Sequence, residues 1–195
     1  VDGKWALVLE YIEGKTLSEL MAENPDKAGE YLELFVSLQE QIHEKKAPLL
    51  TTLKDKMTRK ISYAELGATV RYDLQLKLRE MSGASTVCHC DFSPSNVVIR
   101  DDGTPYILDW SHATQGNACV DAAVTYILFK LSKQDDTAEA YLSLFCEKSG
   151  VERESVLKWL PVAAASKSIK KEGEDRKFLL SLANTVDYEN GGTTL

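Results

Sequence analysis

The sequence predicts a mainly helical α+β fold with one small β-hairpin, and three observations carry that reading. Apolar residues recur at helical spacing through much of the chain, with Leu32, Phe35, Val36, Gln39 and Ile42 falling on one face. Residues 122–131 (AAVTYILFKL) are apolar on nearly every side, the pattern of a helix buried all round. Between these stretches, Val97-Val98-Ile99 and Tyr106-Ile107-Leu108 flank the turn Asp101-Asp102-Gly103, the pattern of a short hairpin.

The elements follow in order. Residues 5–12 form a partly β-branched apolar run closed by Glu13-Gly14, which predicts a buried strand. Thr16-Leu17-Ser18-Glu19 is a capping box: hydroxyl and carboxylate satisfy orphan amides at a helix start. Asn24-Pro25 predicts a second helix start, with Asn as cap and Pro in the first turn. Residues 50–81 read as two helices separated near 62–67. After the hairpin and the apolar helix, three amphipathic helices are expected near 138–148, 154–165 and 175–186. No repeat, low-complexity tract or linker interrupts this series, so residues 1–195 are expected to form a single domain.

Composition narrows the function classes. Thirty acidic against 23 basic residues give a net charge of −7, and 44% of the 195 residues are hydrophobic. Those values fit a globular domain with a substantial core and exclude a disordered polar chain. A nucleic-acid binder is not expected, because the Lys runs at 45–46 and 167–171 are short and interrupted. No apolar run approaches the roughly 20 residues of a membrane-spanning helix, and residues 1–5 lack a secretion-signal profile, so a cytoplasmic protein without a membrane partner is expected. Cys88, Cys90, Cys119 and Cys146 lack the density of a disulfide framework and the paired spacing of a structural zinc site, and are read as reduced thiols. Oligomeric state is not encoded in any of these features.

The chemistry is concentrated in Cys88-His89-Cys90-Asp91-Phe92-Ser93-Pro94-Ser95-Asn96 and, beyond the hairpin, Leu108-Asp109-Trp110. Here a carboxylate, a carboxamide and a second carboxylate lie at strand ends and in the loop beside a hairpin. Asn96 and Asp109 are expected across from each other on adjacent strands. Such oxygen donors suit Mg2+, which usually takes one or two protein oxygens and completes its shell with phosphate and water. A free Asp nearby could orient and deprotonate a hydroxyl, so the reaction implied is phosphoryl transfer.

These residues resemble the aminoglycoside phosphotransferase and choline kinase family, relatives of protein kinases. The family's catalytic loop reads His-x-Asp-x-x-x-x-Asn, matched by His89, Asp91 and Asn96, and its later metal-binding Asp often precedes Trp, as Asp109-Trp110 does. The segment 116–123 is similar to the family's Gly-Asp-Pro-Ala-x-Asp-x-Ala, with Asp121 in the bracing position. The resemblance implies that Asp91 is the catalytic base, that Asn96 and Asp109 hold Mg2+, and that His89 and Asp121 support the loop. It further implies an adenine-receiving hinge at Leu9-Glu10-Tyr11-Ile12, with the backbone of Glu10 and Ile12 toward ATP and with Val98 and Leu108 beneath the base. The fold implied is the C-terminal lobe of a protein-kinase-like fold, with a hinge strand over about residues 1–14. The implied function is ATP-dependent transfer to a hydroxyl of a small molecule.

The sequence also departs from the family. Ser93 stands where a Lys or His often helps neutralise the transferring phosphate, and Asn117-Ala118 replaces Asp-Pro. The eleven glycines form no phosphate-covering loop. No strand with an ATP-binding Lys precedes Trp5, and the chain begins at Val1 rather than Met. A nucleotide-covering N-terminal lobe is therefore expected to be absent from this chain, with little turnover from residues 1–195 alone. Two alternatives follow: a kinase-derived binding or scaffold module without catalysis, and a metal-dependent phosphohydrolase using the same oxygens.

Other polar residues have plainer readings. His43 is expected to pack or to sit as a favourable cation at a helix end. His112 lies near the proposed metal residues, but one His is weak evidence of ligation. Cys88-His89-Cys90 lacks the second ligand cluster that a soft metal needs. Glu172-Gly173-Glu174-Asp175 reads as a solvated helix start, or else as part of a pocket for a cationic substrate, since aminoglycoside-binding members use acidic residues from this region.

Overall fold

Thr16 opens the fold through the capping box its sequence spells. In the computed structural model, which describes residues 9–81 and 84–186, its hydroxyl accepts the Glu19 amide at 3.2 Å while the Glu19 carboxylate accepts the Thr16 amide at 2.8 Å. Helix α1 (Leu17–Glu23) follows from this cap, and just before it Lys15–Thr16 form the short strand β1. Asn24 does not cap the next helix. Its side-chain amide turns back to the Leu20 carbonyl at 3.0 Å, closing α1, and Pro25–Lys27 form a 3-10 turn before α2 (Ala28–His43).

Helix α2 buries the predicted face, including the polar Gln39. Phe35 lies at its centre, stacked on Phe92 with ring centroids 4.3 Å apart and edge-on to Phe129 and Tyr141. Aromatic pairs of this kind add about 0.5–1.5 kcal/mol each beyond the area they bury. Thr52 caps α3 (Leu53–Tyr63), and α4 (Ala68–Arg79) follows after a break at residues 64–67, as expected.

The β structure comprises two small sheets among the described residues. Strand β2 (Thr86–Cys88) precedes the predicted hairpin of β3 (Val97–Ile99) and β4 (Pro105–Ile107), and β5 (Thr114–Gly116) follows it. One sheet has the order β1-β3-β4, with Thr16 opposite Val98 and Val98 opposite Tyr106. In the other, β2 and β5 pair antiparallel, Cys88 opposite Thr114. That second pair escaped the sequence reading because three-residue strands of mixed polarity are too short to show alternation. A Cβ on Gly116 would lie 2.5 Å from the Leu53 Cβ, so the missing side chain lets α3 rest directly on the β5 backbone.

Asn117 caps α5 (Ala118–Leu131), accepting the Cys119 amide at 2.8 Å. The helix is buried on nearly every side, as its sequence demands, and starts four residues before the apolar run. Around it lie α6 (Asp135–Ser149), α7 (Arg153–Leu157), α8 (Leu160–Ser168) and α9 (Gly173–Ala183). The single helix expected over 154–165 is therefore two. Pro161 lacks an amide hydrogen and sits in the first turn of α8, so the chain breaks at Lys158-Trp159 before it.

One expectation fails over its described part. Residues 9–12 are not a buried strand: Leu9 and Tyr11 are 74% and 84% exposed and no strand among the described residues pairs with them, while residues 5–8 lie outside the described residues. Without a neighbour to accept its backbone groups, an apolar run gains nothing from extended structure. No helix among the described residues is long and apolar enough to cross a membrane.

Candidate active site

The loop from His89 to Asn96 is held from beneath by Asp121. This carboxylate, wholly buried within α5, accepts the Cys90 amide at 2.6 Å through Oδ1, and through Oδ2 the His89 amide at 3.3 Å. His43 from α2 reaches the same Oδ2 at 2.9 Å. Burial alone would push the pKa of such a carboxyl up, yet the hydrogen bond and charge of His43 together with the Cys90 amide outweigh it and hold the group below the usual carboxylate range. Cys90 takes a left-handed conformation, φ 62°, which costs a non-glycine residue roughly 1–2 kcal/mol. The short bond to Asp121 is what fixes it there.

A wider buried network backs this anchor. Gln39 donates to Thr125 at 3.1 Å and accepts the Tyr141 hydroxyl at 2.6 Å, while the Thr125 hydroxyl donates to the Phe92 carbonyl at 3.1 Å. Three helices, α2, α5 and α6, thus meet the loop through polar side chains that are each satisfied, which rigidifies a core.

His89 is buried and its Nε2 donates to the Leu108 carbonyl at 3.0 Å, with the ring beside Trp110 and Phe92. This places it as a brace between the loop and the strand end that leads to Asp109. Neither Cys88 nor Cys90 is a reactive thiol in this setting: burial pushes Cys90 up to about 12 and Cys88 further. Among the described residues no three His, Cys, Asp or Glu side chains gather as a metal-holding cluster.

Asp91, Asn96 and Asp109 are joined through the hairpin frame. The Asn96 amide group donates to the Asp91 carbonyl at 2.8 Å, and the Leu108 amide donates to the Asn96 carbonyl at 2.8 Å. Asn96 and Asp109 flank the β3–β4 ladder rather than lying in it, one in a 3-10 turn and the other in a left-handed conformation at φ 56°. Asp109 accepts the Ser111 hydroxyl at 2.6 Å, and that bond holds its carboxyl below the ordinary range. Val98 is buried in the ladder and Leu108 is half-buried beside it, whereas Glu10 is exposed and Ile12 half-buried in coil.

These donors fit Mg2+. The Asn96 side chain uses its nitrogen on Asp91, which leaves its oxygen as a donor, and Asp109 is an exposed ionised carboxylate. Two hard oxygens of this kind, without a third protein ligand, are what Mg2+ accepts when phosphate and water complete its shell.

The Asp91 carboxylate opens on a side that the sequence reading did not foresee. Its Oδ1 is paired with Lys167 at 2.5 Å. Lys167 lies near the end of α8, in the short, interrupted Lys run at 167–171. A cleft of about 390 Å³ extends from Asp91 past Ser93 and Ser95 to Lys60, Lys170 and Lys171. A second cavity of about 260 Å³, lined by Ser18, Thr125 and Thr137, shares Ser93, Ser95 and Ser132 with the first. His112 also faces the larger cleft, while its backbone carbonyl accepts Lys56 at 2.7 Å. Gln39, Thr125, Tyr141 and Lys167 are the positions missed from sequence. The polar Gln39 on an otherwise apolar helix face was the one available signal.

Residues 1–157 match the family model APH, described as the phosphotransferase enzyme family. No curated protein matched the sequence. Among solved structures, the choline kinase LicA from Streptococcus pneumoniae superposes with a TM-score of 0.60 at 16% identity, over 81% of this chain and 65% of that one. LicA in complex with AMP gives 0.58 at 17% identity, over 91% and 68%. An ethanolamine kinase from Plasmodium vivax gives 0.62 at 9% identity, over 91% and 63%. At these identities the likeness is one of fold, and the kinase-like architecture expected from the motifs is the one found. The chain spans 65% of the choline kinase and 63% of the ethanolamine kinase.

Proposed function

Because the chain belongs to the APH phosphotransferase enzyme family, we propose that it serves ATP-dependent transfer of a phosphoryl group to a hydroxyl of a small molecule. The observation that carries this reading is the hydrogen-bonded frame linking Asp91 to Asn96 and Asn96 to the residue before Asp109. In this proposal residues 1–195 act as one domain, with Glu10 and Ile12 toward the adenine and Val98 and Leu108 beneath it.

Asp91 accepts the hydroxyl proton. Lys167 occupies its Oδ1, and Oδ2, without a hydrogen bond among the described residues, is the oxygen that faces the acceptor. Lys167 therefore orients the base while leaving one lone-pair edge for the proton. Asn96 and Asp109 would hold Mg2+, which when bound supplies neutralisation of phosphate charge. His89 and Asp121 keep the loop in register, so the hydroxyl meets a fixed carboxylate and orientation supplies much of the rate.

The test is Asp91→Asn in the full chain, assayed for transfer from Mg-ATP across a panel of hydroxylated acceptors. Loss of a positioned general base lowers the rate by about 10²–10⁴-fold. An unmodified rate in a folded variant removes Asp91 from the role.

One observation favours a second reading, a binding module without catalysis: the Asp91 carboxylate is already engaged by a lysine. Calorimetry of Mg-ATP together with the transfer assay separates the two. Binding without transfer to any acceptor supports the module.

A further inference from the structure

On a chain of net charge −7, the cleft beside Asp91 is locally basic. Four lysines, Lys60, Lys167, Lys170 and Lys171, face it against two carboxylates, Asp91 and Asp175. Both carboxylates are engaged: Asp91 by Lys167 at 2.5 Å and Asp175 by Lys171 at 3.8 Å. Lys60 and Lys170 have no carboxylate partner among the described residues. The acidic cluster at 172–175 therefore does not make a cation pocket, since Glu174 pairs with Lys177 in solvent and only Asp175 reaches the cleft.

The like charges are placed at a cost to the fold. Lys56 and Lys60 are one turn apart on α3, a spacing at which like charges repel. Burial, with Lys167 and Lys56 nearby, pulls the Lys60 ammonium down to about 8. An anion in the cleft would offset this repulsion. Asp91 lines the cleft, whereas neither Asn96 nor Asp109, the residues proposed for Mg2+, does. The adjoining cavity carries no charged side chain: the hydroxyls of Ser18, Ser93, Ser95, Ser132 and Thr137 alternate there with apolar groups such as Met21 and Phe129, a surface that can take the hydroxyls and carbon frame of the same ligand.

We infer that the acceptor is an anion: a small polyhydroxylated molecule bearing a phosphate or carboxylate, whose charge meets Lys60 and Lys170 while one hydroxyl faces Asp91. This rests on the phosphotransferase reading for the direction of the hydroxyl. It sets the chain apart from the structural neighbours, whose names give choline and ethanolamine, both cations, as their substrates.

The experiment measures binding to the full chain by calorimetry, with ribose 5-phosphate, gluconate, ribose and choline as probes, followed by a transfer assay from Mg-ATP with the same four. Ribose 5-phosphate or gluconate is expected to bind at least tenfold more tightly than ribose or choline, and the tighter of the two identifies phosphate or carboxylate as the group recognised. Lys60→Gln and Lys170→Gln should each weaken that anion by about tenfold, the loss of one charged hydrogen bond, while leaving Mg-ATP affinity unchanged. Tighter binding of choline, unchanged anion affinity in both variants, or an equal loss of Mg-ATP affinity overturns the inference. Transfer to choline or ribose with the anions ignored defeats it but leaves the phosphotransferase reading standing. Lysine-dependent anion binding with no transfer to any acceptor upholds the anion site and defeats that reading instead.

Discussion

The Asp121 carboxylate and the Cys90 amide are joined by a 2.6 Å hydrogen bond, so a buried residue of α5 sets the backbone of the loop that presents Asp91. Removing the carboxylate would leave two loop amides and His43 without their acceptor. Asp121→Ala should therefore destabilise the fold by about 3–5 kcal/mol, measured by urea denaturation.

The same group gives a pH dependence of known sign. The Asp121 carboxyl lies below its unfolded value of 3.8 in the folded chain. Its stabilising contribution is complete above that value and is lost as pH falls through the lower folded value. Thermal unfolding scans from pH 6 downward should show a fall in midpoint that begins below about pH 4, and this component should be absent in Asp121→Asn.

Lys167 is predicted to matter more for turnover than for stability. Its pair with Asp91 is partly solvated, so Lys167→Met should change stability by no more than about 1 kcal/mol. If Lys167 orients the base, kcat should fall while the Mg-ATP KM stays unchanged; an unaltered kcat would show that Asp91 is positioned by the loop alone.

Tyr141 donates to Gln39 from a fully buried position. Tyr141→Phe leaves the Gln39 oxygen unsatisfied and should cost about 1–3 kcal/mol by equilibrium unfolding. In the Gln39→Leu background the cost of Tyr141→Phe should shrink, because the orphaned acceptor is gone.

Gly116→Ala tests the contact of β5 with α3. The added methyl meets the Leu53 side chain at 2.5 Å, and overpacking of this kind costs about 1–3 kcal/mol. Leu53→Ala should recover part of the loss when combined with it.

The helices with strong signatures were legible in sequence for identifiable reasons. Thr16 and Glu19 form the capping box that their spacing spells, the α2 face buries the residues predicted, and the uniformly apolar run of α5 is its central helix. The candidate site residues His89, Asp91, Asn96, Asp109 and Asp121 stand out in the sequence because they occupy fixed intervals along the chain. What the sequence concealed depends on contacts between distant segments. Asn24 looks like a cap for the helix after it but bonds to the helix before it. Lys167 lies 76 residues from Asp91, and nothing local marks their pairing. Pro161 sits in the first turn of α8, and its missing amide hydrogen, hidden within an apolar periodicity that runs on through it, sets the break between α7 and α8.

The polar network has a consequence for how the site comes into being. Gln39 reaches residues 82 and 102 positions away, so the loop's support closes only after α2, α5 and α6 have docked. Contacts of such long range form late and at high entropic cost. The backbone amides of His89 and Cys90 should then exchange with solvent deuterium only when the molecule unfolds as a whole. Any substitution that weakens the helical core would thus lower the population of molecules with a formed Asp91 loop, rather than leave a folded molecule with a slackened one.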